Sequence, residues 1–223
     1  MFSFAGFRMG WIVGNSKMVA ALAKVKSQVD SGLSTPLQKL GAYALTEPGA
    51  GSDPAGMITN ARRDKGRYLL NGYKTFITNA GLADVYVVFA TVDPSRGTDG
   101  ITAFIVEKDW QGVVPGKKEK KMGIRASHTA SISFEDVEVP EANRLGDEGA
   151  GFKIAMRTFD ITRSHIAARA VGIARAAYEY ALAYAQERRQ FGKPIFSFQA
   201  IAFMLADMAM QIDAARLLAW RAA

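Results

Sequence analysis

Hydrophobic and polar positions change period twice along this chain. Before residue 41, Val19, Leu22, Val25 and Val29 recur at spacings of three and four, which places them on one helix face. Ser34-Thr35-Pro36 then breaks the pattern. From residue 41 to about 145 the chain reads as strands. Val85-Tyr86-Val87-Val88-Phe89-Ala90 and Ile101-Thr102-Ala103-Phe104-Ile105-Val106 are short runs of β-branched and aromatic residues. Ala42-Tyr43-Ala44-Leu45 and Tyr68-Leu69-Leu70 are shorter runs of the same kind. Asp64-Lys65-Gly66 and Asn71-Gly72 predict tight turns, the second a hairpin. Gly97 to Gly100 separate the two long runs. Ile132 and Phe134 alternate in one phase, Val137 and Val139 in the other, and Glu135-Asp136 sits at the switch, which predicts a bulge or corner. Short strands at this spacing predict a compact barrel or sandwich.

From Gly151 the period lengthens again. Residues 151–188 are rich in Ala, Arg, Leu and Glu and predict one long helix. Phe191-Gly192-Lys193-Pro194 is expected to stop it, with Gly as the cap and Pro unable to continue. Ser197 is the candidate cap of a second helix. That helix carries a seam at Ile201, Leu205, Met208, Ile212, Ala215 and Ala219. A seam with this period wants a neighbouring helix, so the two are expected to pair antiparallel. The pattern runs unbroken to Trp220-Arg221-Ala222-Ala223, which reads as a fragment, or a truncated relative, of a longer protein.

Composition narrows the chemistry. Hydrophobic residues make up 49% of the 223, enough for a sizeable core. The absence of cysteine removes disulfides and thiolate metal sites, and two histidines, His128 and His165, are too few for a histidine-rich metal centre. No apolar stretch reaches about eighteen residues without a charge, so no membrane-spanning helix is expected. The net charge of +7 suits anionic partners. Nucleic acid, a phosphate-rich small molecule such as coenzyme A or a dinucleotide, and plain solvated surface all satisfy it. The basic run Lys117-Lys118-Glu119-Lys120-Lys121 has no interleaved aromatic and lies between Gly116 and Gly123, so it reads as a solvated loop between strands rather than a nucleic-acid contact. The first 29 residues hold Arg8, Lys17, Lys24 and Lys26 and no acid, a composition shared by mitochondrial transit peptides and basic amphipathic helices.

Two short segments carry the candidate chemistry. Thr46-Glu47-Pro48-Gly49-Ala50-Gly51-Ser52-Asp53 follows the first strand. Its proline and two glycines let backbone approach a flat ligand closely. Thr46 and Ser52 add hydroxyls that both donate and accept. Phe76-Ile77-Thr78-Asn79 repeats the theme with an aromatic, a hydroxyl and an amide at a strand end. Two such segments can sandwich a heteroaromatic cofactor, with a flavin as the candidate.

The strings YALTEPGAGSD from Tyr43, FITNAG from Phe76 and ERRQFGKP from Glu187 resemble the signature motifs of the acyl-CoA dehydrogenase family. The resemblance covers roughly residues 41 to 223. Further strings, KMGIRASHTASISFEDVEVP and ADMAMQIDAARLLAWRAA, look most like its short- and medium-chain members. The resemblance implies an α+β, multidomain chain: a remnant of an N-terminal helical domain over residues 1–40, a flavin-binding β-barrel over 41–148, and an antiparallel helix pair, half of a four-helix bundle, over 149–223. It implies FAD, an acyl-CoA substrate, electron-transfer flavoprotein as acceptor, a homotetramer, and a place in fatty acid β-oxidation. The expected compartment is the mitochondrial matrix in a eukaryote and the cytoplasm in a bacterium.

Residue by residue, the resemblance implies that Tyr43, Leu45, Thr46, Gly51 and Ser52 line the flavin, with Ser52 also at the thioester. Phe76, Ile77 and Thr78 match the segment against the other part of the isoalloxazine. The family usually has Trp where Phe76 stands; alone, Phe76 would read as a core aromatic. Arg188, Gln190, Phe191 and Gln199 match residues that reach the dinucleotide end of a flavin held by a neighbouring subunit. An arginine fork suits a pyrophosphate. Asp160 and Arg163 match positions that meet the acyl-CoA, and otherwise read as a surface ion pair at i and i+3. No residue is assigned as catalytic base. Most of the family carries a glutamate further towards the C-terminus than Ala223. A minority places it at the position of Thr162, and threonine cannot serve. Glu47 is expected to be structural. The alternatives of another class are a catalytically incomplete fragment or non-catalytic subunit of the same family, and an oxidase of the same fold.

Overall fold

The computed structural model describes residues 41–123 and 125–223. The helical reading of residues 1–40, and any transit peptide there, lies outside the described residues. The chain divides into two compact units, one running to Met156 and the other holding Arg157–Ala223.

The first unit is built from β1 (Ala42–Ala44), β2 (Asn60–Asp64), β3 (Arg67–Thr78), β4 (Val85–Thr91), β5 (Ile101–Glu107), β6 (Val113–Lys118), β7 (Thr129–Pro140) and β8 (Arg144–Leu145). They form one sheet in the order β6-β7-β3-β2-β4-β5-β8, with β1 added to β4 in parallel. Inward positions of β1 to β5 and β7 meet in a single cluster that includes Tyr68, Leu70, Tyr86, Val88, Phe104, Val106, Ile132, Phe134 and Val137. A sheet whose strands send their apolar faces to one core must curl around it, so the expected barrel is realised as a curved wall. Each large side chain buried this way contributes about 1.5–3 kcal/mol.

The turn signals divide. Lys65 and Gly66, at φ 46° and 83°, make the two-residue hairpin between β2 and β3 as expected. Asn71-Gly72 does not make a turn; it lies inside β3. Gly72 is there for close approach: at φ 153°, a Cβ would sit 2.4 Å from the Thr59 hydroxyl. Asn71 serves the predicted bulge. Between the pairs Leu70/Val137 and Gly72/Phe134, β7 carries the extra residue, and Asp136 takes φ 49°. The Asn71 amide donates to Asp136 Oδ1 at 2.9 Å and accepts from the Asp136 N–H at 2.9 Å. The basic run is only partly loop: Lys117 and Lys118 end β6, and Lys121 is committed to the Ser127 carbonyl and the Thr129 hydroxyl.

The helix α1 spans Gly151–Glu187. Its first residue packs against Thr102, where a Cβ would lie 2.7 Å from backbone. Helix α1 stops before the expected cap. Arg189–Gln190 (β9) and Lys193–Pro194 (β10) form a small hairpin turned by Phe191 and Gly192 at φ 52° and 79°. Gly192 is therefore a turn residue rather than a helix cap, because two successive positive φ angles are what such a hairpin requires. Ser197 ends a one-turn 3-10 segment, and the cap position of α2 (Gln199–Arg221) is Phe198, with no side-chain cap. Of the predicted seam, Leu205, Ile212 and Ala219 are buried, whereas Met208 and Ala215 are exposed. The early residues Arg157, Asp160 and Ile161 of α1 share a groove with Ala219 and Ala222, and the later Ala174 and Tyr178 share one with Met208 and Ile212. The helices are therefore antiparallel, as expected.

Replacing Gly72 by Ala drives a methyl into the fully buried Thr59 and should cost about 1–3 kcal/mol. Gly56→Ala, where a Cβ meets nothing within 4 Å, should leave stability within about 0.5 kcal/mol. Urea denaturation of both variants checks the contrast.

Candidate functional site

The first unit brings the two candidate segments together. The Thr75 N–H donates to the Thr46 carbonyl at 2.9 Å, which fastens the end of β3 to the start of the glycine turn. The turn closes on itself through reciprocal Glu47 and Ala50 backbone bonds of 3.2 Å. Asp53 caps the next 3-10 turn by accepting from the Ala55 N–H. Thr46 is half-buried, Gly51 and Ser52 are exposed, and the space beyond Gly51 is open to 4 Å.

Below the turn lies a buried ion pair. Lys74 is 0% exposed and Glu47 3%. Lys74 Nζ donates to Glu47 Oε1 at 2.7 Å and to the Leu45 carbonyl at 3.0 Å. The Glu47 carboxylate also accepts from the Ile58 N–H at 2.7 Å and the Thr59 N–H at 3.0 Å. Burial pushes the Lys74 ammonium down to about 8, and Glu47 opposes that shift. For Glu47, burial works to raise the pKa, but Ile58, Lys74 and Thr59 outweigh it and hold the carboxyl below its ordinary value. The structural role expected of Glu47 stands. Lys74 was not singled out in the sequence, although a lone lysine in register with inward residues of a strand is itself a signal that a partner waits inside.

Phe76 is the most telling residue of the segment. It is 65% exposed and holds φ 55°. A bulky side chain in the left-handed region is strained, and such strain concentrates at functional sites. It sits where the β3–β7 register shifts between Lys74 and Ile77, and that irregularity re-aims the ring. The core-aromatic reading of Phe76 is thus excluded. Ile77 is buried and anchors the segment, while Thr78 is exposed beside it. Tyr43 is half-buried with its ring 4.7 Å from that of Phe89, and burial pushes its phenol up. Leu45 is buried and contributes its carbonyl to Lys74.

In the second unit, Arg188, Gln190, Phe191 and Gln199 are all exposed at the hairpin and the start of α2. The Ile195 N–H donates to the Arg188 carbonyl at 2.8 Å, which ties β10 back to the helix end. Phe191 is 92% exposed and strained like Phe76; its ring meets Phe198 edge-on at 6.0 Å. Asp160 and Arg163 pair at 2.5 Å on the surface of α1. Both are well exposed, so the pair itself is worth only a few tenths of a kcal/mol. Thr162 donates back to the Phe159 carbonyl at 3.3 Å. No cluster of three or more His, Cys, Asp and Glu placed to hold a metal occurs among the described residues.

Residues 42–137 match the model described as acyl-CoA dehydrogenase, middle domain, and residues 149–223 match acyl-CoA dehydrogenase, C-terminal domain. The chain belongs to the acyl-CoA dehydrogenase family. Residues 1–66 also match a model described as aminotransferase class I and II. Of that span, residues 42–66 overlap the middle-domain match and form β1, the glycine turn and β2 of the same sheet. Among curated relatives, the short-chain specific acyl-CoA dehydrogenase of Megasphaera elsdenii is 56% identical over 186 residues, 83% of this chain and 49% of the relative. The caffeyl-CoA reductase-Etf complex subunit CarC of Acetobacterium woodii is 53% identical over 182 residues, 82% of this chain and 48% of the relative. Among solved structures, an acyl-CoA dehydrogenase complexed with FAD from Bacillus anthracis superposes with a TM-score of 0.75 at 44% identity, covering 82% of this chain and 31% of that one. The chain spans about half the length of the curated relatives it matches.

Phe76→Gly relieves the left-handed strain and removes little buried surface, so stability should stay level or rise by at most about 1 kcal/mol. Ile77→Ala, one residue on, should cost about 2–5 kcal/mol. Equal losses in the two variants on chemical denaturation would return Phe76 to a packing role.

A carboxyl whose folded pKa is lowered contributes stability present above its unfolded value, here 4.5, and lost as pH falls through the folded value. The unfolding midpoint should drop below about pH 4.5, and Glu47→Gln should make that drop shallower. Thermal melts across a pH series measure both slopes.

Proposed function

We propose that this chain is the flavin-binding portion of an acyl-CoA dehydrogenase acting on short acyl thioesters. The observation that carries the reading is the strained, exposed Phe76 held beside the glycine turn by the Thr75–Thr46 bond. An aromatic kept out of the core at such cost is suited to stack on a flat ligand. The residues fit FAD: open space over Gly51, exposed hydroxyls at Ser52 and Thr78, and a half-buried one at Thr46 face a ring system that needs both polar edges and an apolar face. FAD, when bound, supplies the two-electron acceptor for the hydride leaving the β carbon.

The chain's own residues then position and shield. Phe76, exposed at a positive φ, would cover an apolar face of the flavin. Thr46, Ser52 and Thr78 offer hydroxyls to the polar edge and to the thioester. Arg188, with its planar donor fork, and Gln190 and Gln199 suit the pyrophosphate and adenine end of a flavin in a second copy of the chain. Asp160 and Arg163 meet the acyl-CoA. Glu47 is not the base that removes the α proton, because its oxygens are already committed to Lys74, Ile58 and Thr59. Electrons pass on to an electron-transfer flavoprotein. The Acetobacterium relative, whose name places it in a complex with an Etf, supports that acceptor, and the Megasphaera relative supports a short acyl chain.

The visible spectrum of the purified chain with FAD, before and after anaerobic butyryl-CoA, tests the reading. A flavin band that forms and then bleaches is the expected result for a competent dehydrogenase. A bound flavin that does not respond would reduce the role to cofactor binding, and no bound flavin would overturn the reading for this chain.

A further inference from the structure

We propose that the buried Lys74–Glu47 pair is a positioning device for the cofactor: it sets the backbone of Leu45, Thr46 and Glu47 so that the glycine turn and the Phe76 ring form one rigid clamp. The inference rests on the flavoprotein reading above and assigns a role within it to two buried side chains bonded to the backbone of the turn.

Three consecutive residues of the turn are each tied down. The Leu45 carbonyl accepts from Lys74 Nζ at 3.0 Å, the Thr46 carbonyl from the Thr75 N–H at 2.9 Å, and the Glu47 carboxylate from Lys74 Nζ at 2.7 Å. The same carboxylate caps the Ile58 and Thr59 N–H groups and so reaches past the far end of the turn. One side chain therefore holds both ends of the segment between residues 47 and 58. Lys74 in turn begins the irregular stretch in which Phe76 adopts φ 55°. Turn and ring share a common anchor, so a shift of Lys74 moves both jaws. A hydrophobic residue at 74 would fill the space and hold none of these groups.

The geometry also separates positioning from simple charge neutralisation. If neutralisation were the whole role, exchanging the two residues would preserve it. A lysine at 47 cannot accept from the Ile58 and Thr59 N–H groups, since an ammonium is donor only. The exchanged pair should therefore fail.

The test compares the full chain with Lys74→Met, with the near-isosteric Glu47→Gln, and with the double exchange Glu47→Lys/Lys74→Glu. FAD affinity is read by fluorescence titration, the flavin environment by the shape of the visible band, and the clamp by amide hydrogen exchange at Ile58, Thr59 and Thr75 without cofactor. In all three variants the FAD dissociation constant should rise roughly tenfold or more, the size expected for losing a charge-assisted hydrogen bond. The band should change shape, and the three amides should exchange faster while β4 and β5 amides stay protected. Unchanged FAD affinity with unchanged exchange in Glu47→Gln would overturn the inference, and so would full rescue by the double exchange. If the wild type itself binds no FAD, the flavoprotein reading fails for this chain. The exchange data then decide the clamp: faster exchange confined to Ile58, Thr59 and Thr75 supports it, and unaltered exchange overturns it.

Discussion

The glycine turn, the end of β3 and the segment at Ile58–Thr59 depend on one buried ion pair. Taking an ammonium and a carboxylate out of water costs several kcal/mol for each charge, and mutual attraction offsets that only when the remaining donors and acceptors are satisfied. Here they are: Glu47 accepts from two backbone N–H groups besides Lys74, and Lys74 reaches the Leu45 carbonyl as well. A pair of this kind adds little net stability over a hydrophobic substitute. What it adds is direction, because charge-assisted hydrogen bonds specify angles as apolar contacts do not. A turn with a proline, two glycines and little buried surface has few other means of keeping one shape.

The two strained aromatics repeat that logic at the surface. Phe76 and Phe191 are both exposed, both at positive φ, and both belong to motifs that carry the family resemblance. They reach that conformation by different routes. Phe76 is forced by a register shift within a long strand pair, with buried Lys74 and Ile77 on either side. Phe191 is forced by a two-residue hairpin turn whose second member is Gly192. In each case the neighbours over-determine the backbone, and the ring is presented where burial would never have put it.

How much of this could be read from the sequence follows from which interactions are local. The strands at 85–90 and 101–106, the bulge at Glu135-Asp136, the Lys65-Gly66 hairpin and the two antiparallel helices follow from periodicity and turn chemistry within a few residues. Asn71-Gly72 does not turn, because its signal is identical for a hairpin and for a glycine pressed against a neighbouring segment; the deciding atom is on Thr59, just before β2. Gly192 and Ser197 were misread for a related reason. The short β9–β10 pairing takes over the helix end, so capping residues do other work. The site was legible as motifs but not as a mechanism of assembly. Lys74 stands out only when one sees that it is inward, and its partner lies 27 residues away.

The ion pairs Lys74–Glu47 and Asp160–Arg163 differ in what they can do because of burial, not because a pair is present. Asp160–Arg163 is the shorter contact, yet both partners stand in solvent, where screening and side-chain entropy leave little net effect. Nothing in the pair fixes either side chain, so both remain able to turn to a charged ligand. Lys74–Glu47 has no such freedom, since neither group can leave without stranding a charge in the core. Mobile exposed charges suit recognition of a phosphate-bearing substrate that comes and goes. A locked buried pair suits a cofactor site that must keep its shape through every turnover.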